Sequence, residues 1–255
     1  MCQGFSCLIN KHGEVTWKLG IDSHDELIKM AGYTDDTSDP QRMKFARVEI
    51  TPNNGDYLHP DKWILKVDHR RKPEWWTQTY HDKCMKAKTQ WLRQLNKILV
   101  KKKIVHPFKD IPMTKKPTRK QIRLLKEWDS VWVSVWDSVG DSVWDSIGDS
   151  VGDSVGDSVW DSVWVSVRDS VWDSVGDSVG NSVGDSVWDS VGAYVSSFFK
   201  LEKWKYIEHK PGVNPFQPCI TLWEMGIVPS YDGTHWRLHS GTKAKTIYKS
   251  KREDK

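Results

Sequence analysis

Cys2 follows the initiator methionine, and a side chain that small permits removal of Met1. The exposed residue would carry a thiol nucleophile beside an α-amine of pKa about 8 that can serve as its base. That pairing suits acyl transfer, but no substrate-binding arginine or oxyanion asparagine can be placed next to it. A second constellation is Cys2, Cys7, His81 and Cys84, which together offer four zinc ligands. The His81-x-x-Cys84 spacing is permissible and Cys2-x4-Cys7 is loose, and the two segments would have to meet in space. No phosphate loop, dinucleotide fingerprint, zincin helix or nucleophile elbow occurs. The chain is therefore read as non-enzymatic and without a cofactor, with Cys2 the weak catalytic candidate.

Two further sets of residues could bind rather than react. Met85, Trp91, Leu92, Leu95, Ile98 and Leu99 fall on one face of a helix predicted within Pro73–Val100. Lys83, Lys86, Lys88, Arg93 and Lys97 are assigned to its other face, continued by Lys101, Lys102 and Lys103. Such a surface would hold nucleic acid through phosphates, without reading sequence and with strong salt dependence. The second set is Trp132, Trp136, Trp144, Trp160, Trp164, Trp172 and Trp188, seven of the 16 tryptophans. Exposed aromatics in rows point to a protein partner or to self-association.

These tryptophans belong to a tetrapeptide array. From Trp128 to Gly192 the chain repeats Asp-Ser-Val-x, with x being Trp, Gly or once Arg. Serine recurs every fourth residue from Ser130 to Ser190, and Val follows each Ser except at Ile147. The x residues also follow a 28-residue superperiod with one mismatch, Gly140 against Arg168. Since Trp, Gly and Arg codons can differ by one base, this pattern reads as duplication followed by point mutation. A position that accepts Trp, Gly and Arg is expected to lie outside the close-packed interior, leaving Val and Ser inside.

Charge divides the chain in the same way. Residues 1–127 hold 26 Lys+Arg against 15 Asp+Glu, residues 128–192 hold Arg168 against 13 Asp, and residues 193–255 hold 11 against 6. The blocks are +11, −12 and +5, which sum to the overall +4. An acidic middle between basic arms allows polyanion binding by the arms or polyanion imitation by the middle.

Three conformations compete for the array. A helix built of these residues costs roughly 2 kcal/mol per tetrad relative to alanine. A period of four also drifts by about 40° per tetrad against 3.6 residues per turn. A flat strand puts Val and Asp on one face. A chain that turns a corner at each Asp-Ser and buries Val in stacked coils avoids both problems. The expected fold is thus α+β flanking arms around a short tandem-repeat β-solenoid, with a helical or disordered repeat as the alternatives.

The arms carry ordinary signals. Phe5, Cys7 and Ile9 alternate before a turn at His12-Gly13 and a strand at Val15-Thr16. Ser23–Glu26 reads as a capping box opening a helix over Asp25–Ala31. Phe45–Ile50 and Trp63–Val67 read as strands around Asn53-Asn54-Gly55. Leu222–Val228 reads as a short helix or strand, Tyr231–Leu238 as a turn and final strand, and Lys249–Lys255 as a frayed tail. The expected domains are 1–103, a basic α+β domain; 104–127, a linker and lead-in helix; 128–192, the acidic repeat; and 193–255, an aromatic and basic segment. No apolar run approaches a membrane span and the first residues lack a signal peptide's pattern, so no membrane and no export are expected. Four cysteines are too few for a disulfide framework.

The elements Met1–Cys7, Val48–Pro52, Pro73-Glu74-Trp75-Trp76, the Asp-Ser-Val-Trp array and Pro229–His239 resemble a group of uncharacterised proteins of tailed bacteriophages and environmental viruses. The resemblance implies a viral origin and a bacterial cytoplasm, and it brings no activity with it. The Met1-Cys2-x-Gly4 start is loosely similar to N-terminal-nucleophile hydrolases, and the array to pentapeptide-repeat solenoids, some of which imitate DNA. Together these readings predict a repeat protein presenting an acidic, Trp-rich surface for binding or self-assembly. DNA mimicry, nucleic-acid binding by the arms and an N-terminal-Cys hydrolase stand as alternatives.

Overall fold

A computed structural model describes residues 4–34, 43–51, 59, 62–68, 72–139, 143–172, 175, 179 and 184–251. They divide into two compact units, one of residues 1–98 with 151–163 and one of residues 99–150 with 164–255. The array contributes to both, so the expected boundary at residue 128 does not mark where one compact body ends.

The first unit is built on an antiparallel sheet of order β2-β1-β3-β4, with β1 Phe5–Asn10, β2 Val15–Thr16, β3 Phe45–Thr51 and β4 Ile64–Val67. β1 is buried along its whole length because helices cover both faces. On one side Leu8 and Phe45 pack with Leu27 and Ile28 of α1, His24–Met30. On the other, Phe5 and Trp63 meet Trp91 of α2, Gln78–Ile98, at ring separations of 5.3 and 6.0 Å. Gly4 is obligatory at the start of β1, since a Cβ there would lie 2.2 Å from the Ile50 carbonyl oxygen. The capping box does not form: Ser23 is the N-cap of α1 but makes no side-chain cap bond. The turn Asn53-Asn54-Gly55 lies outside the described residues.

Among the described residues the array is helical, and the expected β-solenoid is not formed. Helix α3, Arg119–Val139, starts in the lead-in and runs into the repeat. Thr118 and Gln121 cap it reciprocally: the Gln121 side chain accepts from the Thr118 N–H at 2.8 Å and the Thr118 hydroxyl accepts from the Gln121 N–H at 3.3 Å. A capped segment rich in Lys, Leu and Gln supplies the costly first turn, and the repeat then extends a helix already begun. Further on come α4 Val143–Val155, α5 Asp157–Val167, a π turn Arg168–Trp172 and α6 Gly184–Ser196.

This segmentation resolves the drift that argued against a helix. Eleven or thirteen residues hold about three tetrads, over which the valine stripe turns by roughly 120°, still within one broad buried face. Gly156, at φ +97°, breaks the chain between α4 and α5 and restarts the stripe. The π turn, with more residues per turn, swings it back. Accordingly Val135, Val143, Ile147, Val151, Val155, Val159, Val163, Val167, Val171, Val175, Val187 and Val191 are all buried. The serine hydroxyls are satisfied within the helices by donating to the carbonyl four residues back, as Ser138, Ser150, Ser170 and Ser190 do at 2.6–3.1 Å.

The second unit packs α3, α6 and α7, Gln217–Glu224, with a meander of order β5-β6-β7. Its strands are Ile227–Tyr231, His235–Ser240 and Lys245–Lys251. The third strand occupies part of the tail expected to fray, and the segment read as helix or strand is both in succession. β5 is an edge strand, and array serines cover its open side. Ser186 donates to the Tyr231 carbonyl and accepts from its N–H at 2.8 Å, and the single hydroxyl proton of Ser190 is shared between the Ser186 carbonyl and that of Pro229, 3.0 Å away. Ser150 does similar work elsewhere, accepting from the Lys205 N–H at 2.7 Å.

Candidate functional site

The array tryptophans do not form one row. In the second unit Trp132 and Trp136 of α3 stack at 5.7 Å with planes 6° apart, and Tyr231 and Trp236 of the meander pack on Trp132. Aspartates lock the indoles. Asp189 accepts from Trp132 Nε1 at 2.6 Å and from the Trp144 backbone N–H at 3.2 Å, and Asp129 accepts from Trp236 Nε1 at 2.8 Å. A second cluster joins Trp144, Trp164 and Trp188, with ring separations of 4.3–5.5 Å. Trp160 is buried in the first unit. Of Trp172 only the π-turn backbone is described.

The expectation that x positions lie outside the interior is thus corrected. Gly152, Gly156 and Gly192 are buried as well, and a Cβ on Gly192 would meet Trp144 Cε3 at 3.0 Å. The helical stripe is broad enough to take in x as well as Val. Trp136 differs: it is 52% exposed.

The other candidates separate. Cys2 lies outside the described residues. Cys7 on β1 and Cys84 on α2 come together as buried thiols, and burial, then the neighbouring Cys84, pushes Cys7 well above the ordinary thiol range. His81 instead pairs with Gln78 and Asp82 on the outside of α2, so it joins no cluster with the two thiols among the described residues. Lys83, Lys86, Arg93 and Lys97 are exposed on α2, within a stripe about 80° wide at 100° per residue. Lys88 is buried, its ammonium 3.4 Å from the Trp63 carbonyl oxygen. Lys101 and Lys103 are exposed in the second unit, whereas Lys102 bonds Glu224 at 3.1 Å and lies 5.0 Å from the ring centres of Tyr194 and Phe198.

Two features of the second unit escaped the sequence. A cavity of about 560 Å³ is lined by Lys102, Lys200, Glu202, Trp204, Asn214 and Glu224, among others. Its charges are of both signs and fall on separated segments, so no local motif marks it. The other is a buried dyad in which Ser230 Oγ lies 2.8 Å from His239 Nε2 and His239 Nδ1 lies 3.0 Å from the Ala244 carbonyl oxygen. The carbonyl requires the proton on Nδ1, so Nε2 accepts from the serine. That is a nucleophile-and-base geometry, but Ser230 is 0% and His239 4% exposed, and no substrate can reach them. The pair instead closes the β5–β6 hairpin.

Burial lowers the His239 pKa from 6.5, and burial with Lys109 lowers that of His106. Both rings take up a proton less readily in the fold than in the unfolded chain, which protonates them near the ordinary value. Stability present above about pH 6.5 is therefore expected to fall as pH drops below it. Urea denaturation at pH 7.5 and 5.5 checks this, and the pH dependence should shrink in His239→Gln.

Among the described residues, no helix is long and apolar enough to cross a membrane. The chain matches no protein-family model, no curated protein and no solved structure.

Proposed function

We propose that the tryptophan-bearing face of α3 is a protein-binding site for a segment carrying lysine or arginine. The observation that carries this reading is Trp136, half exposed on a partner indole that a buried carboxylate holds in place. A rigid aromatic costs little conformational entropy on binding, and its exposed ring face suits an ammonium or guanidinium group. A phage-type protein working in a bacterial cytoplasm belongs to the same proposal.

DNA mimicry is weaker on magnitudes. Aspartates four residues apart on a helix rise about 6 Å each, against 3.4 Å per phosphate on one DNA strand. Asp129 and Asp189 are also committed to indoles. The exposed stripe on α2 supports a second reading, sequence-independent binding of nucleic acid. Fluorescence titration of the full chain with an Arg/Lys peptide and with duplex DNA separates the two. We expect Trp136→Ala to weaken peptide binding at least tenfold with an unchanged far-UV spectrum. Equal affinities would overturn the proposal. Salt-sensitive DNA binding lost in Lys86→Ala/Arg93→Ala would favour the second reading, and concentration-dependent mass lost in Trp136→Ala would make the partner a second copy.

A further inference from the structure

His24, Glu49 and Asp68 bring one imidazole and two carboxylates to the same side of the first sheet, with ligand atoms all within 4.8 Å of one another. His24 opens α1 and is buried; Glu49 and Asp68 come from β3 and the end of β4. The ring nitrogens face different partners. Nε2 lies 3.3 Å from the Val48 carbonyl oxygen, and Nδ1 lies 3.4 Å from Asp68 Oδ2. A carbonyl can only accept, so Nε2 carries the proton and Nδ1 directs its lone pair at a carboxylate, which also only accepts. Something positive belongs between them: a second proton on the ring, or a cation.

The His24 Nδ1–Asp68 Oδ2 separation of 3.4 Å is close to the roughly 3.3–3.4 Å between two ligands about 2.0–2.1 Å from a tetrahedral metal. The three ligand atoms, within 4.8 Å of one another, need only small side-chain rotations to close on one ion. Backbone fixation of the distal ring nitrogen is also the usual support of a metal-bound histidine. An independent observation comes from Ser6. It sits directly opposite Glu49 in the β1–β3 ladder, on the same face, and its hydroxyl is buried with no hydrogen-bond partner. Serine 2% exposed with an unused donor beside a carboxylate is costly unless the site it faces holds something polar.

We propose that His24, Glu49 and Asp68 form a binding site for one divalent cation of the zinc class, with Ser6 donating to the ligated Glu49 carboxylate. An imidazole with two carboxylates suits Zn²⁺ or Co²⁺ better than Ca²⁺, which takes oxygen ligands alone. Arg47 and Lys66 occupy neighbouring positions of this face, so the cation competes with them and binds with moderate affinity.

Calorimetric titration of the full chain with Zn²⁺, paralleled by the visible spectrum of added Co²⁺, tests the site. Expected are one equivalent bound, an intense tetrahedral Co²⁺ band, and affinity lowered at least tenfold in Glu49→Gln and in Asp68→Asn. Both variants keep side-chain volume, and their far-UV spectra establish that they fold. A second readout stays with the unaltered chain: one equivalent of Zn²⁺ should shift the His24 ring resonances before those of any other histidine. Unchanged affinity in both variants, an octahedral Co²⁺ spectrum, or first shifts at another histidine would each overturn the proposal.

Discussion

Gly192→Trp is expected to destabilise the second unit by about 3 kcal/mol or more, the upper end of what overpacking a core costs. Tryptophan is what the same repeat position holds at 188, so by sequence the change looks harmless. Structure says otherwise. A Cβ on Gly192 would lie 3.0 Å from Trp144 Cε3, 3.6 Å from Ile147 Cδ1 and 3.6 Å from Trp144 Cα, before any ring is added. Helix α6 meets α4 there through the missing side chain. Urea unfolding followed by far-UV dichroism should show a midpoint lowered by at least 1 M, given a slope of about 1–3 kcal/mol/M. Gly148→Trp, at a half-exposed member of the same series, should move it much less. Equal, small shifts for both would show that the x positions are equivalent after all.

Asp189→Ala is the second large effect, expected at about 2–4 kcal/mol. Asp189 is 3% exposed and accepts from an indole and from a backbone N–H. Removing it takes the acceptor from two half-buried donors, and hydrogen bonds to a charged group contribute about 1.5–3 kcal/mol each. Asp189→Asn keeps one acceptor oxygen and should fall between. Asp137→Ala, at an exposed copy of the same repeat position, should stay within about 0.5 kcal/mol. Thermal melts of the three variants decide the matter. A loss for Asp137→Ala as large as for Asp189→Ala would show the aspartates acting through collective charge instead.

The strands β1, β3 and β4 and helix α2 were legible because alternation and the 3.6 period are local signals, and Phe5, Val48 and Trp91 are buried as those periods require. The array was misread because each tetrad was weighed alone. Per-residue propensity disfavours helix, but the Thr118–Gln121 cap and the burial of the valine stripe act together and outweigh it. Ser230–His239 and His24–Glu49–Asp68 were illegible for another reason: their partners are joined by strand register and by the packing of α1 on the sheet, not by spacing along the chain. Lys88 failed as a member of the basic face because it lies about 140° around α2 from Lys83, on the side that the sheet covers.

The helical phase of the array bears on how its length can change. A solenoid gains or loses whole coils with little disturbance, because each coil docks on the next in the same way. Here one inserted tetrad rotates everything after it by about 40°, and a whole 28-residue superperiod by about 80° in the opposite sense. Neither restores Asp189 to Trp132 nor Ser186 to the edge of β5. Slippage during replication, which makes such repeats cheaply in DNA, would therefore be filtered by the protein. Copy number is set by where the glycine break and the π turn return the stripe to register, and shortened or lengthened alleles should be rare among folded products even though the code for them arises easily.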